Sequence, residues 1–411
     1  MANDLYIFHP TCELAVANGS PYYMAPAKLR EFEANLASLM AFLADCNDFV
    51  VVRDAVSTEF IQYLNVAGFS PPLFIKDNLL GNIDYTNNFP GGIHRILPWG
   101  WSPVMHHLFS GLIKIANPLI ASKYSEWKNI HKELFGRHSS LQILRQIVSD
   151  DSEGWMVQSS ELALIVKRLD DIVLMQEPGG QLVVKSPWSS SGRGLQVLRE
   201  NELNMTNIQV ISGVLREQGF VLVEPWHNKL ADISFQFFSN EKNEIEFLGI
   251  TSFTTDKAGR FTSQNLHELS FDLSNEVKVF FNRHKESIVG KIRSKLSESS
   301  YATEYYGWLG VDTLIYRNVN GELVWHPCIE INCRFTMGAI ALRLRRHLAE
   351  GSQAKFFIYR GENGLFDDFV KMMIEKSPLK LSGNLIHEGF LALTPFQSGN
   401  LFGAYLVAER T

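Results

Sequence analysis

Cysteine is scarce in this chain: 411 residues contain four, Cys12, Cys46, Cys328 and Cys333, and no two of them have CxxC spacing. Neither a disulfide framework nor a zinc site follows from so few and so scattered thiols, and reduced cysteines of a cytoplasmic protein are expected. Long apolar runs are also missing; none approaches the roughly 20 residues that a membrane helix needs. The first residues, MANDLYIFHPTCELAV, carry Asp4 and lack the basic and apolar regions of a secretion signal. No extended Lys/Arg run occurs and the formal net charge is −6, so the broad positive face that a nucleic-acid backbone requires is not indicated. Neither membrane nor nucleic acid is expected as a partner. No Ser/His/Asp or Cys/His arrangement stands out, and His9, His106 and His107 read as structural or loop residues.

What is present is the balance of a folded protein, with 45% hydrophobic and 20% charged residues. The length exceeds what one core usually supports, so two or three packed units are expected. Leu5 to Phe8, Phe49 to Val52 and Leu73 to Ile75 read as buried strands. They alternate with a helix bearing Leu29, Phe32, Leu36, Leu39, Met40 and Leu43 on one face and with a second helix over 58–66. Such alternation predicts an open α/β domain with a parallel sheet over about the first 115 residues. Residues 77–100 are rich in Asn, Gly and Pro and read as loop. A boundary is expected near Asn117-Pro118, with helical stretches at 102–115, 122–135 and 160–169. From Gln181 the pattern turns to strands, at 181–185, 195–198, 220–224, 232–238 and 244–253. A long helix at 273–296, strands at 311–316 and 323–332, and a last strand pair within 389–407 complete an α+β part.

Three segments carry chemistry. In Glu330-Ile331-Asn332-Cys333-Arg334, polar side chains at i, i+2 and i+4 share one face of an apolar strand. A carboxylate and an amide oxygen suit a hard cation such as Mg²⁺, and Arg334 suits phosphate. Asp312 is the lone carboxylate in the strand before it. Taken alone, Glu-x-Asn-x-Arg is chance in most proteins, and Asp312 and Glu330 then belong to the solvated face of a sheet with Arg334 as a surface ion-pair partner. Register also bears on them: a two-residue Asn320-Gly321 turn would place Asp312 opposite Ile329, on the face away from Glu330. A loop of odd length or a bulge is therefore required, and Pro327, which cannot donate to a ladder, makes an irregularity expected there.

The second segment, Val183-Val184-Lys185 followed by Ser186-Pro187-Trp188-Ser189-Ser190-Ser191-Gly192-Arg193-Gly194, delivers a lysine from an apolar strand into a loop of small residues. Backbone amides there can approach phosphate while Lys185 supplies charge. This is no Walker A loop, because Lys185 precedes the glycines; a hairpin loop without function fits equally well. The third, Phe220-Val221-Leu222-Val223-Glu224-Pro225-Trp226-His227, ends an apolar strand in an acid and a proline. There a backbone carbonyl and N–H can face a purine, although in isolation a buried strand with a terminal acid describes the segment better.

Taken in order, these segments resemble the ATP-grasp superfamily, of the carboxylate-amine ligase type, over about residues 123–338. The resemblance implies a Rossmann-like domain over 1–117, an ATP-grasp subdomain with the phosphate loop over 118–222, and a subdomain with the metal-binding strands and the C-terminal segment over 223–411. By the same resemblance Lys123 and Lys185 are similar to the two phosphate lysines. Ser189, Ser190, Ser191, Gly192 and Gly194 form the loop over the phosphates. Glu224, Pro225, Trp226 and His227 look like the adenine hinge, and Asp232 is similar to the ribose-binding acid. Asp312, Glu330 and Asn332 are similar to the metal ligands, and Arg334 joins Lys185 as a catalytic group. Cys333 stands where many members have proline. The implied activity is an ATP- and Mg²⁺- (or Mn²⁺-) dependent ligase joining a small-molecule carboxylate to an amine through an acyl phosphate. A phosphotransferase acting on a hydroxyl and a non-catalytic nucleotide-binding module are the alternatives, and self-association into a homo-oligomer stays open. The loop from His9 to Glu13 matches no substrate site that the resemblance names.

Overall fold

The structure is a computed structural model that describes residues 3–79, 92–113, 123, 126–151, 153–175, 180–189, 194–198, 203–361, 364–396 and 399–410. The chain divides into two compact units, one formed by Met1–Trp127, Thr262–Glu268 and Arg334–Thr411, the other by Lys128–Phe261 and Leu269–Cys333.

The first unit contains a parallel sheet in the order Leu73–Lys76, Phe49–Val52, Asn3–Ile7, Ile93–Pro98. Phe49–Val52 is an unbroken buried run, as a strand covered on both faces requires. The strand Ile93–Pro98 corrects the reading of residues 77–100 as loop. Its Ile93, Ile96 and Leu97 are buried, but a Gly/Pro-rich approach and the intervening His94 and Arg95 mask the pattern. Arg95 is held in place by Asp4 of the neighbouring strand, its Nε 2.9 Å from Oδ2. The helices Thr58–Val66 and Ala27–Leu36 start at the expected places, the first capped by Ser57 and the second opened by Pro26. The unit also carries an antiparallel sheet in the order 262–265, Ser352–Tyr359, Gly403–Arg410, Leu385–Ala392, Lys380–Ser382.

In the second unit, one antiparallel sheet runs Leu164–Val166, Val221–Pro225, Leu182–Lys185, Leu195–Leu198. Its core of Val166, Val184, Leu198, Val221 and Val223 packs with Ile172 and Ile211 of the helices Leu169–Leu174 and Met205–Gln218. The expected helix over 160–169 is overturned: Leu164–Val166 pairs antiparallel with Val221–Val223 and the helix begins only at Leu169. Ladder bonds with a neighbouring strand outweigh the weak helical spacing there. The other sheet runs Leu323–Asn332, Gly307–Arg317, Asn228–Ser239, Ile245–Thr255. The helix Arg137–Ser149 lies against it, Ser140 Oγ accepting from Ile331 N at 2.9 Å. Among the described residues no helix is long and apolar enough to cross a membrane.

Candidate functional site

Lys185 ends a central strand, paired with Leu222 on one side and Leu195 on the other. Because Val183 faces Glu224 across the same ladder, Lys185 and Glu224 are diagonal neighbours on one face. Their Nζ and Oε1 form an ion pair in which both side chains are more than nine-tenths buried. The ammonium is thus enclosed and neutralised by the acid assigned to the hinge.

Beyond Lys185, Ser186 N donates to Gly194 O at 2.9 Å and closes the base of the small-residue loop. Gly194 is needed there, since a Cβ would lie 2.1 Å from Ser189 Oγ. Ser190, Ser191 and Gly192 lie outside the described residues. The base of the loop is gripped by a residue that the sequence analysis passed over. Arg137, first residue of its helix and 5% exposed, donates from Nη1 to Ser186 O and to Ser189 Oγ, each at 2.6 Å. Its Nη2 reaches both carboxylate oxygens of Glu330, at 3.0 and 3.2 Å. The available signal was a basic residue opening an amphipathic helix, and Lys123 offered the same signal.

Glu330 lies directly opposite Asp312. Arg317 pairs with Leu323 across an odd-length loop, which by itself switches the side expected from a two-residue turn. Past Leu314–His326 the register shifts by two around Pro327, which preserves that side and brings Asp312 opposite Glu330. Asn332 Nδ2 donates to Asp312 Oδ2 at 3.0 Å and Ser234 Oγ to Asp312 Oδ1 at 2.7 Å. Gln236 supports Ser234 at 2.8 Å, and Trp308 Nε1 supports Gln236 at 2.7 Å. Among the described residues no three His, Cys, Asp or Glu side chains assemble for a metal; the set expected from the sequence has only Asp312 and Glu330 of these types, with the Asn332 amide beside them. Two carboxylates and an amide, all oxygen donors, fit a hard divalent cation. The buried Cys328 thiol registers the whole group: burial raises its pKa most, Asp312 and Glu330 raise it further, and Lys185 lowers it.

Around the strand end, Trp226 N donates to Gln181 O at 2.8 Å. Pro225 and Trp226 are half-buried. The His227 ring lies 4.0 Å from that of Tyr316. Burial lowers the pKa of His227, and that of the fully enclosed His326 well below the usual imidazole value. Asp232, matched to a ribose-binding acid, accepts from Lys229 Nζ at 2.5 Å and from Thr255 Oγ1 at 3.2 Å. Burial nonetheless holds its carboxyl above the ordinary range.

Two of the expected residues belong to the first unit. Lys123 is half-buried there. Arg334 donates from Nε to Oε1 of buried Glu13 at 2.5 Å and from Nη1 to Phe335 O at 3.1 Å. The loop from His9 is tied to its own unit: His9 Nε2 lies 3.2 Å from Ser102 Oγ, its Nδ1 3.2 Å from Glu33 Oε1, and Thr11 Oγ1 donates to Glu33 at 2.6 Å.

No protein-family model matches the sequence, and no curated protein does. Solved structures do match. An N5-carboxyaminoimidazole synthetase from Staphylococcus aureus, crystallised with ADP, is 12% identical with a TM-score of 0.51, covering 100% of this chain and 95% of that one. An L-amino acid ligase from Bacillus licheniformis is 11% identical with a TM-score of 0.50, covering 100% and 94%. The chain has the ATP-grasp fold. Within that fold, the strand lysine, the strand-end acid and the Glu-x-Asn strand all lie in the second unit, with Arg137 at its helix start.

Proposed function

We propose that this protein is an ATP- and Mg²⁺-dependent ligase that joins a carboxylate to an amine. The observation that carries the reading is Arg137, which bridges Glu330, set opposite Asp312 on the neighbouring strand, to the loop base beyond Lys185 at Ser186 and Ser189. Two cations and two acids on ordered strands and a helix start suit phosphoryl transfer, where positioning and charge stabilisation supply most of the catalysis. Asp312, Glu330 and Asn332 would hold Mg²⁺, which neutralises charge on the transferring phosphate. Lys185 exchanges Glu224 for a phosphate oxygen. Arg137 takes the part expected of Lys123, with Ser189 beside it. The backbone from Pro225 to His227 offers a carbonyl and an N–H to the base. The γ-phosphoryl group passes to the substrate carboxylate, leaving ADP, and the amine displaces phosphate from the acyl phosphate to give the amide. No nucleophilic protein side chain is required.

The test is a screen for ADP formation with pooled carboxylates and amines in the presence of Mg²⁺. Amine-dependent product together with released phosphate supports ligation. ADP formed with the phosphoryl group retained on a hydroxyl acceptor would identify a phosphotransferase instead, and no turnover with any pool would count against an enzyme.

A further inference from the structure

The first unit contains a cavity of about 380 Å³ among the 3₁₀ turn Ala37–Phe42, the helix Thr58–Val66 and the helix Met337–Arg345. This is within the range of small-molecule sites. Phe42, Leu64, Phe69 and Leu344 give it a buried apolar floor. Phe69 stacks on His347, with centroids 4.2 Å apart and planes 28° from parallel, and meets Phe42 edge-on at 5.2 Å.

The charges around this floor are unusual in being unspent. The guanidinium of Arg343, on the cavity wall and half-buried, forms no hydrogen bond or ion pair with any described residue. A guanidinium has five N–H donors in a planar fork, and those of Arg343 are open to a ligand's acceptors in place of water. Asp45 lies on the rim, its carboxylate likewise unpaired among the described residues, and no ion pair joins it to Arg343. His347 adds no second cation near neutral pH, since burial and then Arg346 lower its pKa.

We propose that this cavity binds an α-amino acid with an apolar side chain. The fork of Arg343 takes the carboxylate through two parallel hydrogen bonds, the Asp45 carboxylate takes the ammonium, and the side chain covers Phe42, Leu64 and Phe69. A plain carboxylate would leave Asp45 unanswered, a plain amine would leave Arg343 so, and an apolar molecule would leave both. The proposal concerns a separate site and does not depend on the ligase reading.

Cys46, on the same rim, is the reporter. Among the four cysteines it alone is exposed, while Cys12, Cys328 and Cys333 are buried, so a chromogenic disulfide reagent acts on Cys46 first. The probe is L-phenylalanine, applied to the intact chain. At about ten times its Kd it leaves about a tenth of the sites free and slows the modification of Cys46 about tenfold. Arg343→Gln abolishes the protection without altering the unprotected rate, Arg343→Lys retains part of it, and Asp45→Asn weakens it. The melting curve of each variant establishes that it is folded, and Arg343→Lys serves should Arg343→Gln not fold. Absence of protection by phenylalanine and leucine, undiminished protection in folded Arg343→Gln, or equal protection by 3-phenylpropanoate would each overturn the proposal.

Discussion

Asp312 and Glu330 stand directly opposite one another across an antiparallel strand pair, and each is answered by a different kind of partner. Asp312 accepts from the Ser234 hydroxyl and the Asn332 amide, whereas Glu330 is held by the guanidinium of Arg137. Like charges directly opposed in a sheet repel. The guanidinium relieves that repulsion in this structure, and on the proposed reading a divalent cation would relieve it during turnover.

Removing Arg137 should therefore separate its two roles. In Arg137→Gln the Glu330 carboxylate loses its counter-charge, and the fold should lose about 2 kcal/mol in denaturant melts. Without nucleotide, the same variant should bind Mn²⁺ about tenfold or more tightly than the wild type, because the cation no longer competes with a guanidinium. Electron paramagnetic resonance titration measures this directly; a weaker Mn²⁺ affinity in a folded variant would refute the competition.

Asp312→Asn keeps acceptor capacity toward Ser234 but removes one of the opposed charges. The relieved repulsion offsets the hydrogen bond lost from Asn332 Nδ2, and the metal-free protein should stay within about 1 kcal/mol of the wild type. Its melting temperature should no longer rise when Mn²⁺ and ADP are added together, whereas that of the wild type should. Equal ligand-induced shifts in the two proteins would remove Asp312 from the metal site.

For Lys185 the burial changes the expected cost. A surface lysine replaced by alanine costs within about 0.5 kcal/mol, but here the substitution leaves Glu224 enclosed without its partner and should cost about 3 kcal/mol. Lys185→Met combined with Glu224→Gln should recover most of that stability while nucleotide affinity stays about tenfold to hundredfold below wild type. Calorimetric ATP titration beside melting curves tests both; wild-type affinity in the double variant would exclude Lys185 from nucleotide binding.

The buried histidines set a limit on the acid side. His227 and His326, with ring centroids 6.0 Å apart, both have pKa values lowered by burial. In the unfolded chain each takes up a proton near pH 6.5, whereas the folded chain does so only at lower pH. Stability should thus be complete above about pH 6.5 and decline as the pH falls through the window below it. His326→Gln should flatten this decline in a series of melts, and an unchanged slope would show that other groups dominate.

Much of this architecture is written in short-range pattern. The apolar runs ending at Lys185 and Glu224, the polar face of Glu330 and Asn332, and the helix at 58–66 are legible because burial imposes periods of 2 and 3.6 on the chain. The sequence also contains the need for an irregularity near Pro327, since counting residues through a turn shows which face each side chain meets. What it does not contain is the outcome of that counting. The odd loop and the two-residue shift were settled only by the fit of two strands, and with them the meeting of Asp312 and Glu330. Likewise the strand Ile93–Pro98 is recognisable only when Asn3–Ile7 lies beside it to satisfy Arg95 and the ladder. Arg137 shows the same limit most clearly: it is 193 positions from Glu330 in the chain, and no local pattern distinguishes a helix-opening arginine from the lysine at 123. Composition and periodicity determine which segments become strands and helices. Which charges end within reach of one another depends on how those segments pack, and that was decided only when the second unit closed around Arg137, Glu330 and Asp312.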